Sequence, residues 1–244
     1  MLKAMLHRKL GRPEDDDDAT GSASAWDGLT TREDPLTSAI FERFAYLQPT
    51  DAWSLLRAAC VESGQAAMPE AAPAGQPVWW FWPRLSTDLG GGNTARVEPD
   101  VVVEWGDLLI VVEAKHAGTQ YGNQWTRQIR AVWSDPRFAR KQLLFVAAGG
   151  ADAGTFATIS ASVANELGDI NVRFLLLRWA MLRHAAAALR SRLAHGSAAV
   201  LEDMIAALDA WGYQPRVGFD SLPSAAVALH ITTSPADLKD WRIR

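Results

Sequence analysis

Glu98-Pro99-Asp100-Val101-Val102-Val103-Glu104-Trp105-Gly106-Asp107-Leu108-Leu109-Ile110-Val111-Val112-Glu113-Ala114-Lys115 is the stretch on which the fold turns. Two apolar runs, Val101 to Trp105 and Leu108 to Glu113, meet at Gly106-Asp107, a dipeptide that favours tight hairpin turns. β-branched residues crowd both runs, so the spacing predicts two buried antiparallel strands. Side chains alternate faces along a strand, which puts Glu113 and Lys115 on one side. The hairpin brings the chain back so that Asp100, at the start of the first strand, pairs near Glu113.

Working outward, strands and helices alternate. Leu36, Ile40, Phe41, Phe44 and Leu47 recur at helical spacing after Pro35, which suits a first turn with Asp34 as its cap. A second helix is expected after Pro49, capped by Thr50 or Asp51. Ser63 to Gln76 reads as a loop, and Val78 to Trp82 as an aromatic strand with Trp80 and Trp82 on one face. Asp88 to Thr94, with three consecutive glycines, reads as a turn. A helix is expected over Gln120 to Trp133, strands over Leu143 to Ala147 and Val172 to Leu177, and a helix between them near Thr155 to Glu166. Trp179 to Leu193 and Ala198 to Trp211 read as further helices. The expected fold class is therefore α/β, a central mixed sheet flanked by helices. Residues 1–28, with the acidic run Asp15 to Asp18, are expected to be a disordered acidic tail. Residues 29–244 are expected to be one domain, with a helical elaboration from about residue 180.

The paired acids suggest a chemistry. Carboxylates from adjacent strands can share a hard cation, and Mg²⁺ favours oxygen ligands while keeping several waters. The Ala114 carbonyl lies between the two side chains as a third candidate ligand. Lys115 can hold a metal-activated water or steady charge growing on a phosphate. Charged groups among apolar strands cost free energy unless paired or metal-bound.

Pro99-Asp100, the apolar hairpin and Glu113-Ala114-Lys115 resemble the motif of the PD-(D/E)XK nuclease superfamily, the restriction-endonuclease-like fold. The resemblance covers roughly residues 33 to 180. It implies a Mg²⁺-dependent endonuclease, with Mn²⁺ able to substitute, acting on nucleic acid, with DNA the expected substrate. It assigns Asp100 and Glu113 to the metal and Lys115 to catalysis. Many members carry a glutamate on the first core helix that completes the metal site; Glu33, just ahead of the predicted helix, and Glu42, within it, are the candidates. A helix glutamine after the lysine is also usual, and Gln124 and Gln128, four residues apart, both qualify. The tyrosine that follows that glutamine in some members is missing. Arg127 and Arg130 on the same helix are candidate phosphate contacts, alongside Arg137, Arg140 and Lys141, or else salt-bridged surface residues. His116 is read as structural or phosphate-touching. Trp79, Trp80 and Trp82 are read as core packing ahead of base stacking. By analogy the resemblance points to bacterial defence against phage or foreign DNA. The alternative is a catalytically silent nucleic-acid-binding or assembly subunit on the same fold.

Composition narrows the field. The net charge of −4 hides an asymmetry: residues 115 to 195 carry 11 Lys+Arg against 4 Asp+Glu, and the remainder is correspondingly acidic. A basic middle on an acidic chain can focus a polyanion onto one face. The single cysteine, Cys60, rules out an intrachain disulfide and is read as a buried hydrophobe. No apolar run reaches membrane-spanning length, so a soluble cytoplasmic protein without a membrane partner is expected. Gly90-Gly91-Gly92 is not followed by the lysine of a phosphate-binding loop, and no paired cysteines offer a zinc site. Any motor activity would come from a partner ATPase or helicase, and a double-strand cut would call for a homodimer or successive nicks.

Overall fold

The two apolar runs become the middle of a five-stranded mixed sheet. The computed structural model describes residues 33–60, 68–90, 93–138 and 141–214. These belong to one compact unit. The expected acidic tail, Arg140 and residues 215–244 lie outside the described residues. In chain order the elements are α1 (Glu33–Tyr46), α2 (Pro49–Ala59), β1 (Val78–Phe81), β2 (Leu85–Gly90), β3 (Asn93–Val97), β4 (Val101–Trp105) and β5 (Leu108–Ala114). There follow α3 (Gly122–Ser134), a short 3₁₀ turn at Pro136–Phe138, β6 (Gln142–Ala148), α4 (Ala153–Leu167), β7 (Val172–Leu177), α5 (Trp179–Arg190) and α6 (His195–Ala210).

The sheet runs β1-β4-β5-β6-β7. β1, β4 and β5 are antiparallel neighbours, whereas β6 and β7 join in parallel. Parallel strands need a crossover, and α3 and α4 supply the two. Helices then cover both faces, which is why β4, β5 and β6 are near-continuous apolar runs. On one face Val101, Val103, Ile110, Val112 and Val146 pack with residues of α1, α2, α5 and α6. On the other, Val102, Leu109, Val111 and Phe145 pack with Trp125, Ile129 and Val132 of α3 and Phe156 of α4. The thiol of Cys60 is buried in the first of these layers, and burial pushes its pKa up to about 12. Among the described residues no helix is long and apolar enough to cross a membrane.

Four local expectations need correction. Gln48 precedes α2 as its cap position without a side-chain bond, while Thr50 and Asp51 sit inside the helix; Asp51 instead accepts from Ser197 Oγ at 2.7 Å. Glu33 and Asp34 lie within α1, not ahead of it. The glycine-rich stretch is not a simple turn: β2 and β3 form a hairpin of their own whose register shifts between Asp88 and Gly90. Trp80 and Trp82 do not share a face. Trp82 has φ +45°, a left-handed conformation that costs a non-glycine residue about 1–2 kcal/mol. That twist ends β1 and turns the Trp82 ring to the layer of α1 and α2, while Trp80 packs on the opposite side.

Candidate functional site

The hairpin register sets the site. Val101 pairs with Val112, so one step further Asp100 lies across from Glu113, at the carboxyl end of β5. Ends of this kind, beside a crossover in an α/β sheet, are where ligands bind. Asp100 is held from two sides. The Ala114 N–H donates to its Oδ2 at 2.8 Å, and Trp82 Nε1–H donates to its Oδ1 at 3.2 Å. The Trp82 N–H also donates to the Asp100 carbonyl at 3.0 Å. The strained Trp82 backbone therefore sits where it fixes a buried acid, the setting in which such strain is usually retained. Replacing Trp82 by Phe removes the Nε1 donor and keeps most of the ring. The expected loss is about 1–3 kcal/mol in urea unfolding, the cost of leaving a buried acceptor unsatisfied; unchanged stability would mean the bond contributes nothing.

Glu113 is the hub. It is 1% exposed, and its oxygens accept from three side chains: Lys115 Nζ at 2.5 Å and Gln124 Nε2 at 2.7 Å on Oε1, and Gln128 Nε2 at 2.5 Å on Oε2. Both candidate glutamines thus converge on one carboxylate, as their spacing of four on α3 allows. The Gln128 Oε1 is buried and has no hydrogen-bond partner among the described residues. Lys115 Nζ also donates to Glu33 Oε1 at 2.9 Å, so the first helix reaches the site through the ammonium. Glu42 is buried within α1, where it accepts from Ser38.

Three further groups position the site and were not singled out by the sequence pattern. Gln120 is buried, and its Nε2 donates at 3.1 Å to both the Glu113 and Gly149 carbonyls, tying the ends of β5 and β6 together. Its Oε1 is in turn held by Trp125 Nε1–H at 2.8 Å. Trp179, at the start of α5, donates from Nε1 to the Lys115 carbonyl at 2.8 Å. Gly149 and Gly150, both at φ +69°, let the β6 exit pass directly beneath Lys115; a Cβ at 149 would lie 2.2 Å from the Lys115 carbonyl oxygen. Gln120, expected to open the helix, lies ahead of it, and the glycine pair after a strand is visible in sequence, but the partners of both lie far along the chain. His116 bonds within the fold. Its Nδ1 lies 2.8 Å from Tyr213 Oη, and burial lowers its pKa while Glu33 partly offsets the effect.

The electrostatics follow from burial. Burial raises the pKa of Asp100 well above the usual carboxylate range, and the nearby Glu113 charge adds to it, against the Ala114 N–H. Burial also raises Glu113, with Lys115 and Gln128 opposing. Burial would lower Lys115, but Glu113 and Glu33 outweigh it and the ammonium is held more firmly than usual. Glu33, Asp100 and Glu113 thus cluster about a single lysine, and a buried carboxylate there is relieved by a proton or by a bound cation.

No protein-family model, curated protein or solved structure matches the chain.

The donor set itself must therefore decide whether a metal fits. Among the described residues no three His, Cys, Asp or Glu side chains converge as a metal-holding group. Lys115 pairs with both Glu33 and Glu113, and Asp100 and Glu113 are the two acids set across the hairpin from each other. Mg²⁺ is commonly held by one or two carboxylates together with waters and substrate phosphates, so a pair suffices. Each carboxylate oxygen carries two lone pairs, and both Asp100 oxygens accept only one of the hydrogen bonds described above. The N–H and C=O of a strand residue leave on the same side. With its N–H on Asp100, Ala114 thus directs its carbonyl to that side too. These hard oxygen donors fit Mg²⁺ or Mn²⁺. Arg127 and Arg130 do not enter this cluster. Arg127 donates to the Asn123 carbonyl of its own helix, and Arg130 to the Glu166 carbonyl of α4.

Proposed function

We propose that this chain is a divalent-metal-dependent nuclease that hydrolyses phosphodiester bonds in nucleic acid, with DNA the expected substrate. The observation that carries the reading is the convergence of Asp100, Glu113 and Lys115 at one strand end, braced by two glutamines and by Glu33. Topology supports it. Two helices, three antiparallel strands with the β2–β3 hairpin inserted, a crossover helix and a parallel strand, in sheet order β1-β4-β5-β6, are compatible with a restriction-endonuclease-like core.

Asp100 and Glu113, with the Ala114 carbonyl, are the residues that would hold Mg²⁺. A bound Mg²⁺ supplies Lewis-acid activation of water and neutralisation of phosphate charge. Gln124 and Gln128 keep the Glu113 carboxylate in one orientation, while Trp82 and the Ala114 N–H do the same for Asp100. Lys115 has three donors, of which Glu33 and Glu113 use two. The third is left to orient the attacking water or to meet a phosphate oxygen as charge develops. A role in defence against foreign DNA belongs to the same proposal.

The closed hydrogen-bond network around Glu113 favours a second reading, a silent pocket on a binding or assembly subunit. One assay separates the two. Purified protein is incubated with Mg²⁺ or Mn²⁺ and single- and double-stranded DNA and RNA, beside Asp100→Ala and Lys115→Met. Cutting that needs the metal and vanishes in both variants supports the nuclease. Binding without cutting, unchanged by either substitution, supports the silent subunit.

A further inference from the structure

The proposed chemistry leaves the outside of α3 unused. Gln124, Arg127, Arg130 and Trp133 recur every three residues, an interval that forms one row winding about half-way round the helix over this length. The row starts at the glutamine that holds Glu113 Oε1 and spans about 14 Å of helix axis. It ends on an indole that is 44% exposed. Among the described residues only four large apolar side chains are so exposed, and two of them, Tyr121 and Trp133, bracket this helix. α3 contains no acidic residue. Arg127 has no carboxylate partner among the described residues. Arg130 is exposed and anchored at Glu166, its Nη2 donating to the carbonyl at 2.9 Å while its Nη1 lies 3.9 Å from the exposed Oε1. Beyond Trp133 lies a cavity of about 260 Å³, lined by Trp133, Lys141, Gln142, Leu143, Asn171 and Arg173. Lys141 is held in place there, donating to the Gly106 carbonyl at 2.6 Å and pairing with Glu104 at 3.1 Å.

Cations in a row follow a phosphate backbone, and exposed aromatic faces take unpaired bases; together they are the recognition chemistry of single strands. The bases of a duplex are already stacked on one another and cannot lie on an indole. We propose that α3 carries a track for single-stranded polynucleotide, leading from the Glu113 site across Arg127 and Arg130 to Trp133, where an unpaired base stacks beside the cavity. The proposal rests on the nuclease reading for its direction. It narrows the substrate to one with a single-stranded segment next to the cut.

The test measures binding of the whole chain in EDTA, where no metal is present to support cutting. The probes are fluorescein-labelled single-stranded DNA and RNA oligonucleotides and the duplex of the same sequence. Trp133→Ala is expected to weaken single-strand binding about ten-fold, the scale of one lost stacking contact. Trp133→Phe should stay within about three-fold, since a ring remains. Arg127→Ala should reduce the salt slope of log K by about one. Single-strand binding that ignores Trp133→Ala, an equal loss for duplex, or a wild type that binds no single strand would overturn the track. The cutting assay is independent of this outcome. Cutting with Trp133-independent binding removes the track alone, whereas Trp133-dependent binding without any cutting removes the nuclease alone.

Discussion

Lys115→Met is expected to destabilise the protein by about 3–5 kcal/mol at pH 8 and to lower any metal-dependent cleavage by about 10²–10³-fold. The stability loss comes from what the substitution leaves behind. Glu113 is 1% exposed, and Lys115 is the one cation bonded to it among the described residues. Removing one partner of a buried pair strands the other charge, which is why such losses exceed the net worth of the pair. Methionine keeps the apolar stem that packs over Gly150, so the effect isolates the ammonium. The sign of the pH dependence follows. Burial already raises the Glu113 pKa in the folded state, and losing Lys115 raises it further. Between the ordinary carboxylate range and that raised value, the folded protein binds more protons than the unfolded one, so stability falls as pH rises. The deficit against wild type should therefore be largest at pH 8 and shrink toward pH 5, where Glu113 takes up a proton. Urea unfolding at the two pH values measures it. A deficit equal at both would mean that Glu113 is not the group left stranded.

The same pairing explains which parts of this molecule are legible in one dimension. The hairpin is written locally: β-branched runs, a Gly-Asp turn and a period of two put Asp100 across from Glu113 without reference to any distant residue. The two glutamines are also local, because a spacing of four on one helix aims both at the same point. What holds these groups in place is not local. Gln120 bridges to Gly149, Trp179 reaches Lys115 across 64 positions, and Trp82 reaches Asp100 only because its backbone leaves the strand conformation. Alternation placed Trp82 on the face of Trp80, and a single positive φ reversed that. The glycine-rich stretch misled in the same way, since glycine lowers strand propensity yet the pairing of β2 with β3 overrides it. Sequence leaves both Glu33 and Glu42 open, with Glu33 preferred for its place just ahead of the predicted helix. Only the direction of α1, which starts at the site and runs away from it, separates the glutamate bonded to Lys115 from one buried within the helix.

Divalent cation binding should appear as a pH-dependent gain in thermal stability, with or without a nucleic-acid substrate. Asp100 and Glu113 both have raised pKa values, chiefly through burial, and Asp100 is raised further by the Glu113 charge. Their ionised forms are thus costly in the metal-free fold, and stability declines as pH climbs from the ordinary carboxylate range through the raised values. A cation between them relieves that cost and binds the folded state alone. At about 100 times its Kd it adds roughly 2.7 kcal/mol, which for a chain of this size is a rise of about 5–10 °C in Tm. At pH 5 protons compete for the same oxygens, so Mn²⁺ should shift Tm far less than at pH 8. Asp100→Ala should abolish the shift, because it removes one of the two carboxylates and leaves Glu113 balanced by Lys115. Glu42→Gln, within α1 and away from the cluster, should leave the Mn²⁺ shift intact whatever it does to the baseline. Melting curves at both pH values, with and without millimolar Mn²⁺, decide the matter. A shift that survives Asp100→Ala, or one as large at pH 5 as at pH 8, would place the cation elsewhere and leave the acid pair as a buried structural feature of the hairpin.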